Sequence, residues 1–243
     1  MRHILVIALS FLPSLAVAFT SADEISELQR AIAGWEVGER IVFWAEQYID
    51  VPYDTDPLGD YVRKQVIVAD ERVDCMYLVF RSVELALGKN PADAEAPAFE
   101  KRFYRRGIVE DGKVLNCVDR FRLGEDIIAS GKWGREVTAD LGYADTVQGK
   151  ECGERVSMIP KKDIPMVLAG FKNGDIVFFV KAPEIRVEGE LIGHIGIIKR
   201  EQDTVYLISA FGQKNKGGKV KKYLFSAYSA EMPFVGIKVT RLE

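Results

Sequence analysis

Apolar residues at Met76, Val79, Phe80, Val83 and Leu87 recur at the spacing of one helix face. Asp74 precedes them as an N-cap, able to accept from the free N–H groups of a first turn. Gly88 stands where a left-handed C-cap would end the helix. Two shorter helical patterns come earlier. Ser21 and Glu24 have capping-box spacing, continued by Ile25, Leu28 and Ile32. Ile41, Val42, Ala45, Tyr48 and Ile49 then share one side of residues 39–50, which stop before Pro52. Residues 51–59 are rich in turn formers and read as a loop.

From residue 173 the period changes. Asn173-Gly174-Asp175 reads as a turn and residues 176–180 as a strand. Further strands are expected at 194–199, 205–211, 219–225 and 234–242. Helices first and strands afterwards predict an α+β fold with an antiparallel sheet. Alternation puts His194, Gly196 and Ile198 on one face of their strand. The stretch between, 89–150, is the least regular. It reads as a polar loop at 90–97, a helix at 119–130 and a short strand at 135–138.

The first 18 residues are a different kind of segment. Arg2 and His3 precede an apolar run, and Ala16-Val17-Ala18 forms a small-residue cleavage site, the three parts of a secretory signal. The run is too short to span a bilayer, and no other approaches the roughly 20 residues required. The mature chain is therefore expected to begin at Phe19 and to be secreted or periplasmic, in a bacterial cell envelope, without an integral membrane segment. The 243 residues are 48% hydrophobic and 28% charged, an ordinary globular composition. A net charge of −3 without a basic block argues against nucleic acid as a partner. Oligomeric state is open.

Candidate chemistry is sparse. Cys75 falls at the first helical position, where the positive end of the helix dipole favours a thiolate. The dipole supplies roughly 0.3–1 kcal/mol, so a working nucleophile needs a partner, most often imidazole. The chain has two histidines, and once the signal is removed His194 is the one that remains. A Cys at a helix start followed by a His at a strand start has the chain order of papain-like cysteine hydrolases. The bland alternative is a buried thiol and an unrelated structural histidine. Lys101-Arg102-Phe103-Tyr104-Arg105-Arg106 is a dense basic-aromatic cluster. It reads either as a solvated face or as the place where one arginine, Arg106, binds a carboxylate. Cys117 and Cys152 invite a disulfide in an exported protein, worth roughly 3–4 kcal/mol by chain entropy, with two buried free thiols as the alternative. No C-x-x-C pair points to zinc, and neither metal nor cofactor is expected.

These residues carry a resemblance. Pro52-Tyr53, Asp74-Cys75, Gly174-Asp175-Ile176-Val177-Phe178-Phe179 and Gly193-His194-Ile195-Gly196-Ile197 resemble the NlpC-type papain-like cysteine hydrolases of bacterial cell walls. Residues 53–58, 103–107, Asp119-Arg120 and 236–241 are similar to one branch, the N-acetylmuramoyl-L-alanine amidase-like proteins. The resemblance implies a papain-like (NlpC-type) core: a helix carrying Cys75 packed on an antiparallel sheet carrying His194. It implies one domain over 19–243, with an inserted segment at about 89–165. It implies cleavage of an amide bond in peptidoglycan or a muropeptide by Cys75 and His194. Tyr53, Asp74 and Arg106 are the expected substrate-binding residues. Three positions depart from the pattern. Met76-Tyr77 follow Cys75 in place of small hydroxylated residues, and Arg122 stands where the branch tends to have His. The polar residue that should orient the imidazole from the next strand is best matched by Ser209, with Gln213 weaker. An inactive cell-wall binding protein of the same fold and a thioester-forming acyltransferase are the alternative functions.

Overall fold

The computed structural model describes residues 21–150, 153–187 and 190–243. The expected signal segment and Cys152 lie outside the described residues. The N-terminal half is helical: α1 (Ala22–Ala31), α2 (Val37–Gln47), α3 (Asp60–Arg63), α4 (Cys75–Leu87) and α5 (Pro91–Lys101). A small hairpin of β1 (Val109–Glu110) and β2 (Lys113–Val114) follows, then α6 (Gly124–Ser130), β3 (Arg135–Glu136), β4 (Asp145–Gln148) and β5 (Arg155–Pro160). The C-terminal part holds α7 (Ile164–Val167), β6 (Ile176–Val180), β7 (Ile192–Glu201), β8 (Thr204–Gln213), β9 (Gly217–Leu224), α8 (Phe225–Glu231) and β10 (Gly236–Arg241).

Among the described residues the main sheet runs β4-β5-β10-β6-β7-β8-β9, with β3 paired to β10, and every pairing is antiparallel. This is the expected mixed helical and antiparallel fold. The sheet is covered on both sides, so β6 is buried at every position and reads as an unbroken apolar run. On one face Phe178, Val180, Ile195, Ile197 and Ile208 pack with residues of α2 and α4. On the other, Phe179, Ile198, Leu207 and Ile237 pack with Phe225 of α8 and Val167 of α7. The Gly174-Asp175 turn is architecture. Buried Asp175 accepts from Arg241 Nε at 2.6 Å and Nη2 at 2.7 Å, tying the last strand to the start of β6.

Helix α4 forms as its pattern predicts. Asp74 caps it by accepting from the Tyr77 N–H at 2.8 Å. Gly88 ends it, but in extended backbone (φ −75°) and not the left-handed form expected. A Cβ there would sit 2.8 Å from the Ala94 backbone nitrogen, so glycine is needed for the close approach of α5. Helix α5 itself corrects the loop expected at 90–97. Asn90 caps it, Pro91 opens it, and Pro97 lies inside it.

The basic-aromatic cluster is corrected as well. Arg102 is 1% exposed and donates from Nε and Nη2 to Glu84 of α4, both at 2.6 Å, and from Nη1 to the Ile67 carbonyl at 2.8 Å. Its guanidinium lies 4.9 Å from the Tyr77 ring. On the same helix Arg81 pairs with Asp70 at 3.0 Å. Arg102 thus clamps the end of α5 onto the helix that carries Cys75, while Tyr104, Arg105 and Arg106 are exposed.

Candidate active site

Cys75 stands at the first position of α4, and His194 stands near the start of β7. Strand β7 carries a bulge between its Phe179 and Val180 pairings, and Gly193 occupies it. A Cβ on Gly193 would come 2.6 Å from the Phe234 ring, so the residue before His194 has no room for a side chain. Both Cys75 and His194 line one cavity of about 600 Å³. Its wall is completed by residues between Tyr53 and Val62, the last two of them on α3, by residues between Cys117 and Gly124, and by Lys214 from the β8–β9 turn.

The sulfur is electrostatically unfavourable for a resting thiolate. Burial, and then the Asp74 charge, push the Cys75 thiol up to about 12. The backbone N–H groups of Ile195 and Met76 and the Lys214 ammonium act in the opposite direction without prevailing. Desolvation and the Asp74 charge thus oppose the thiolate that a helix start favours. Burial also pushes His194 down to about 4, with Asp74 the charge that opposes it. These directions favour a thiol at Cys75 and a neutral imidazole at His194 at neutral pH.

The imidazole sits in an aromatic enclosure. Phe211 lies 5.2 Å from it, Phe179 5.5 Å, Tyr228 6.3 Å, and Phe234 is parallel at 6.4 Å. His194 Nε2 is buried and has no hydrogen-bond partner. Carrying the Ile197–Ile208 pairing along both strands sets His194 opposite Phe211. Phe211 thus occupies the position from which a polar residue would orient the ring. Ser209, expected in that role, does something else. It is fully buried, and its hydroxyl donates to the Ile195 carbonyl at 2.6 Å. Gln213 is exposed.

The expected substrate-binding residues separate. Tyr53 and Asp74 line the cavity. Asp74 is engaged on both oxygens, by the Tyr77 N–H and by Lys214 Nζ at 3.0 Å. Arg106 is corrected: it is exposed, pairs with Glu100 at 3.1 Å, and is not part of the cavity wall. Cys117, the expected partner of Cys152, is a free thiol bonded to the Val114 carbonyl at 3.3 Å, in a small cluster with Ala98 and Phe103.

Three residues at the site escaped the sequence reading, Phe211, Tyr228 and Lys214, and Arg120 entered it only within the family resemblance. The first was recoverable. A two-residue turn at Gln202-Asp203 fixes the pairing of the hairpin and places 211 against 194. Tyr228, Lys214 and Arg120 are brought in by tertiary contacts that periodicity does not encode.

No protein-family model and no curated protein matches this chain. Solved structures do match. A Legionella pneumophila protein assigned to family DUF1460 superposes with a TM-score of 0.69 at 14% identity, covering 90% of this chain and 93% of that one. An N-acetylmuramoyl-L-alanine amidase from Bacteroides uniformis gives 0.67 at 21% identity, over 85% of this chain and 99% of that one. A Bacteroides fragilis protein with a provisional xylanase description gives 0.61 at 20% identity, over 83% and 100%. Identities this low carry the fold and not the activity, as the two different enzyme descriptions on one architecture illustrate. The chain therefore shares the α+β architecture of these proteins over nearly their whole length.

Proposed function

We propose that this chain is an exported cysteine hydrolase with a papain-like (NlpC-type) core that cleaves an amide bond in peptidoglycan. The observation that carries this reading is the shared cavity: Cys75 at a helix N-terminus and His194 at a strand start open onto one space of about 600 Å³. The likeness in fold to the Bacteroides uniformis amidase supports the substrate class. Among the described residues no helix is long and apolar enough to cross a membrane.

The chemistry follows from the neutral resting pair. His194 takes the Cys75 proton as sulfur attacks the scissile carbonyl carbon. The proton passes to the amide nitrogen, the C–N bond breaks, and the acyl group stays on sulfur as a thioester. Water then attacks the thioester, His194 taking its proton and returning it to sulfur as the acid leaves. The Ile195 and Met76 N–H groups, which favour charge on sulfur, stabilise the thiolate as its proton passes to His194.

Mass spectrometry of muropeptides after incubation with wild-type protein and with Cys75→Ala tests this. Cleavage products with wild type alone are expected. One observation favours a second reading, a binding protein of the same fold. Phe211 opposite His194 offers the imidazole no polar group, and Nε2 is without a partner. Retention of the protein on sacculi with no fragment release would select that reading.

A further inference from the structure

The β8–β9 turn is fastened to the loop beside the cavity. Tyr53 donates its backbone N–H to the Gly218 carbonyl at 2.8 Å. A Cβ on Gly212 would lie 2.4 Å from the Tyr53 ring, so the end of β8 packs directly on that ring. The Lys216 N–H closes the turn on the Gln213 carbonyl at 3.1 Å. Lys214 is thereby held in the cavity wall. Its Nζ lies 3.0 Å from Asp74 Oδ2 and 5.6 Å from the centre of the Tyr53 ring. Other lysines of the hairpin pair with residues that do not line the cavity, Lys219 with Asp50 and Lys222 with Glu46 and Glu201.

Asp74 has two effects that conflict. Its Oδ1 caps α4 by accepting from the Tyr77 N–H at 2.8 Å. Its charge, one residue from Cys75, disfavours a thiolate there. Lys214 meets the other oxygen, so the cap stays intact while the charge is offset. The two side chains are 34% and 16% exposed, so solvent screens this pair less than a fully exposed one.

We propose that Lys214 is a positioning residue for the nucleophile: its ammonium, set on Asp74 by the β8–β9 turn, offsets that carboxylate and makes the Cys75 proton easier to remove. The inference rests on the reading of Cys75 as the reacting group of this cavity. The groups around the sulfur are Asp74 before its own helix, Tyr53 from the loop, Lys214 from the turn, His194 from β7 and Tyr228 from α8. Burial pushes both phenols up and His194 down to about 4, so these three favour their neutral forms at neutral pH. Lys214 is the cation among them, and it acts on the Cys75 thiol in the direction opposite to Asp74.

The test is alkylation of Cys75 by iodoacetamide at pH 8.5 in the intact protein, read by peptide mass spectrometry so that Cys117 does not contribute. Below the pKa of a thiol the rate follows the thiolate fraction, and one pKa unit is a factor of about ten. Lys214→Met should slow alkylation about threefold to tenfold, and Lys214→Arg should stay within about twofold of wild type. Asn caps a helix as well as Asp does, so Asp74→Asn removes the charge and keeps the cap. Asp74→Asn should react faster than wild type, and the double variant Asp74→Asn with Lys214→Met should regain at least the wild-type rate. Circular dichroism checks each fold; if Lys214→Met does not fold, Lys214→Gln takes its place and the same comparisons decide. Alkylation of Lys214→Met at the wild-type rate, or of Lys214→Arg as slowly as Lys214→Met, would overturn the proposal. So would a double variant as slow as Lys214→Met, which would show that the lysine only holds the turn. Muropeptide release by wild type, with alkylation indifferent to Lys214, would remove this inference and leave the hydrolase. Alkylation dependent on Lys214 without release would keep it and remove the hydrolase.

Discussion

Arg102 and Arg120 both lie between α4 and α6 in the chain and are almost equally buried, at 1% and 3% exposure. Arg102 uses all three nitrogens within the fold, two on Glu84 and one on a carbonyl. Arg120 uses one and leaves two open. The contrast recurs in the sheet. Ser209 is buried and satisfied, while His194 is enclosed with Nε2 unpartnered. Groups satisfied by their own fold hold the architecture. Of the groups left open, Arg120 and His194 line the cavity, while Gln29, Arg40 and Trp44 lie away from it.

The largest effect should come from breaking a satisfied group. Arg102→Ala strands the fully buried Glu84 carboxylate, since Arg81 at 3.3 Å is its remaining cation. The expected loss is about 3–5 kcal/mol of folding stability. Arg120→Met removes one hydrogen bond and an uncompensated charge, and should cost no more than about 1 kcal/mol. Urea denaturation of both variants measures the difference. Equal losses would show that Arg120 is as structural as Arg102.

These two arginines also mark how far the sequence could be read. The Ser21–Glu24 capping box, the Asp74 cap and the apolar β6 run are local patterns, and each formed where the pattern puts it. Helix α5 was hidden because Pro97 reads as a breaker, although Asn90 and Pro91 give it a sound start. The Arg102–Glu84 clamp joins residues on two helices and has no periodic signature. Within the Lys101–Arg106 run, sequence alone does not tell the buried, satisfied guanidinium of Arg102 from the exposed one of Arg106. Residue type favours Ser209 beside the imidazole, where strand register points to Phe211.

The second effect concerns acid. The unfolded chain protonates His194 near pH 6.5, whereas the folded chain does so only near pH 4. Between those values the unfolded state holds more protons, so stability rises with pH across this window and is lost on acidification. The loss approaches about 3 kcal/mol below pH 4. His194→Phe fits an aromatic enclosure and should remove this contribution. Between pH 7 and pH 4.5 the denaturation midpoint should fall further for wild type than for the variant. Parallel profiles would mean that the imidazole finds a partner in solution.

A third experiment converts an open group into a satisfied one. Phe211→His places a polar ring opposite the imidazole, at the 5.2 Å separation the two rings now have. A partner that stabilises the imidazolium should raise its pKa by about one unit. Wild-type Cys75, a thiol pushed up to about 12, should alkylate slowly with iodoacetamide at pH 6. The variant should react about tenfold faster, one pKa unit being a factor of ten. Rapid wild-type alkylation at pH 6, unchanged in the variant, would show an ion pair that forms without help from β8.

The smallest effect is expected at Ser209. Its hydroxyl donates to the Ile195 carbonyl across the β7–β8 pairing, and the residue is fully buried. Ser209→Ala therefore removes one buried hydrogen bond and leaves an oxygen of the strand that carries His194 less well satisfied. The cost should be about 1 kcal/mol in urea denaturation. Because the hydroxyl faces a backbone carbonyl and not the imidazole, the pH profile of Cys75 alkylation should stay where it is in wild type. A structural role moves only the first measurement. If the alkylation profile shifted while stability held, the hydroxyl would have to reach the ring in solution. Ser209 would then move from the satisfied groups to the open ones, and the division drawn between Arg102 and Arg120 would not extend to the sheet.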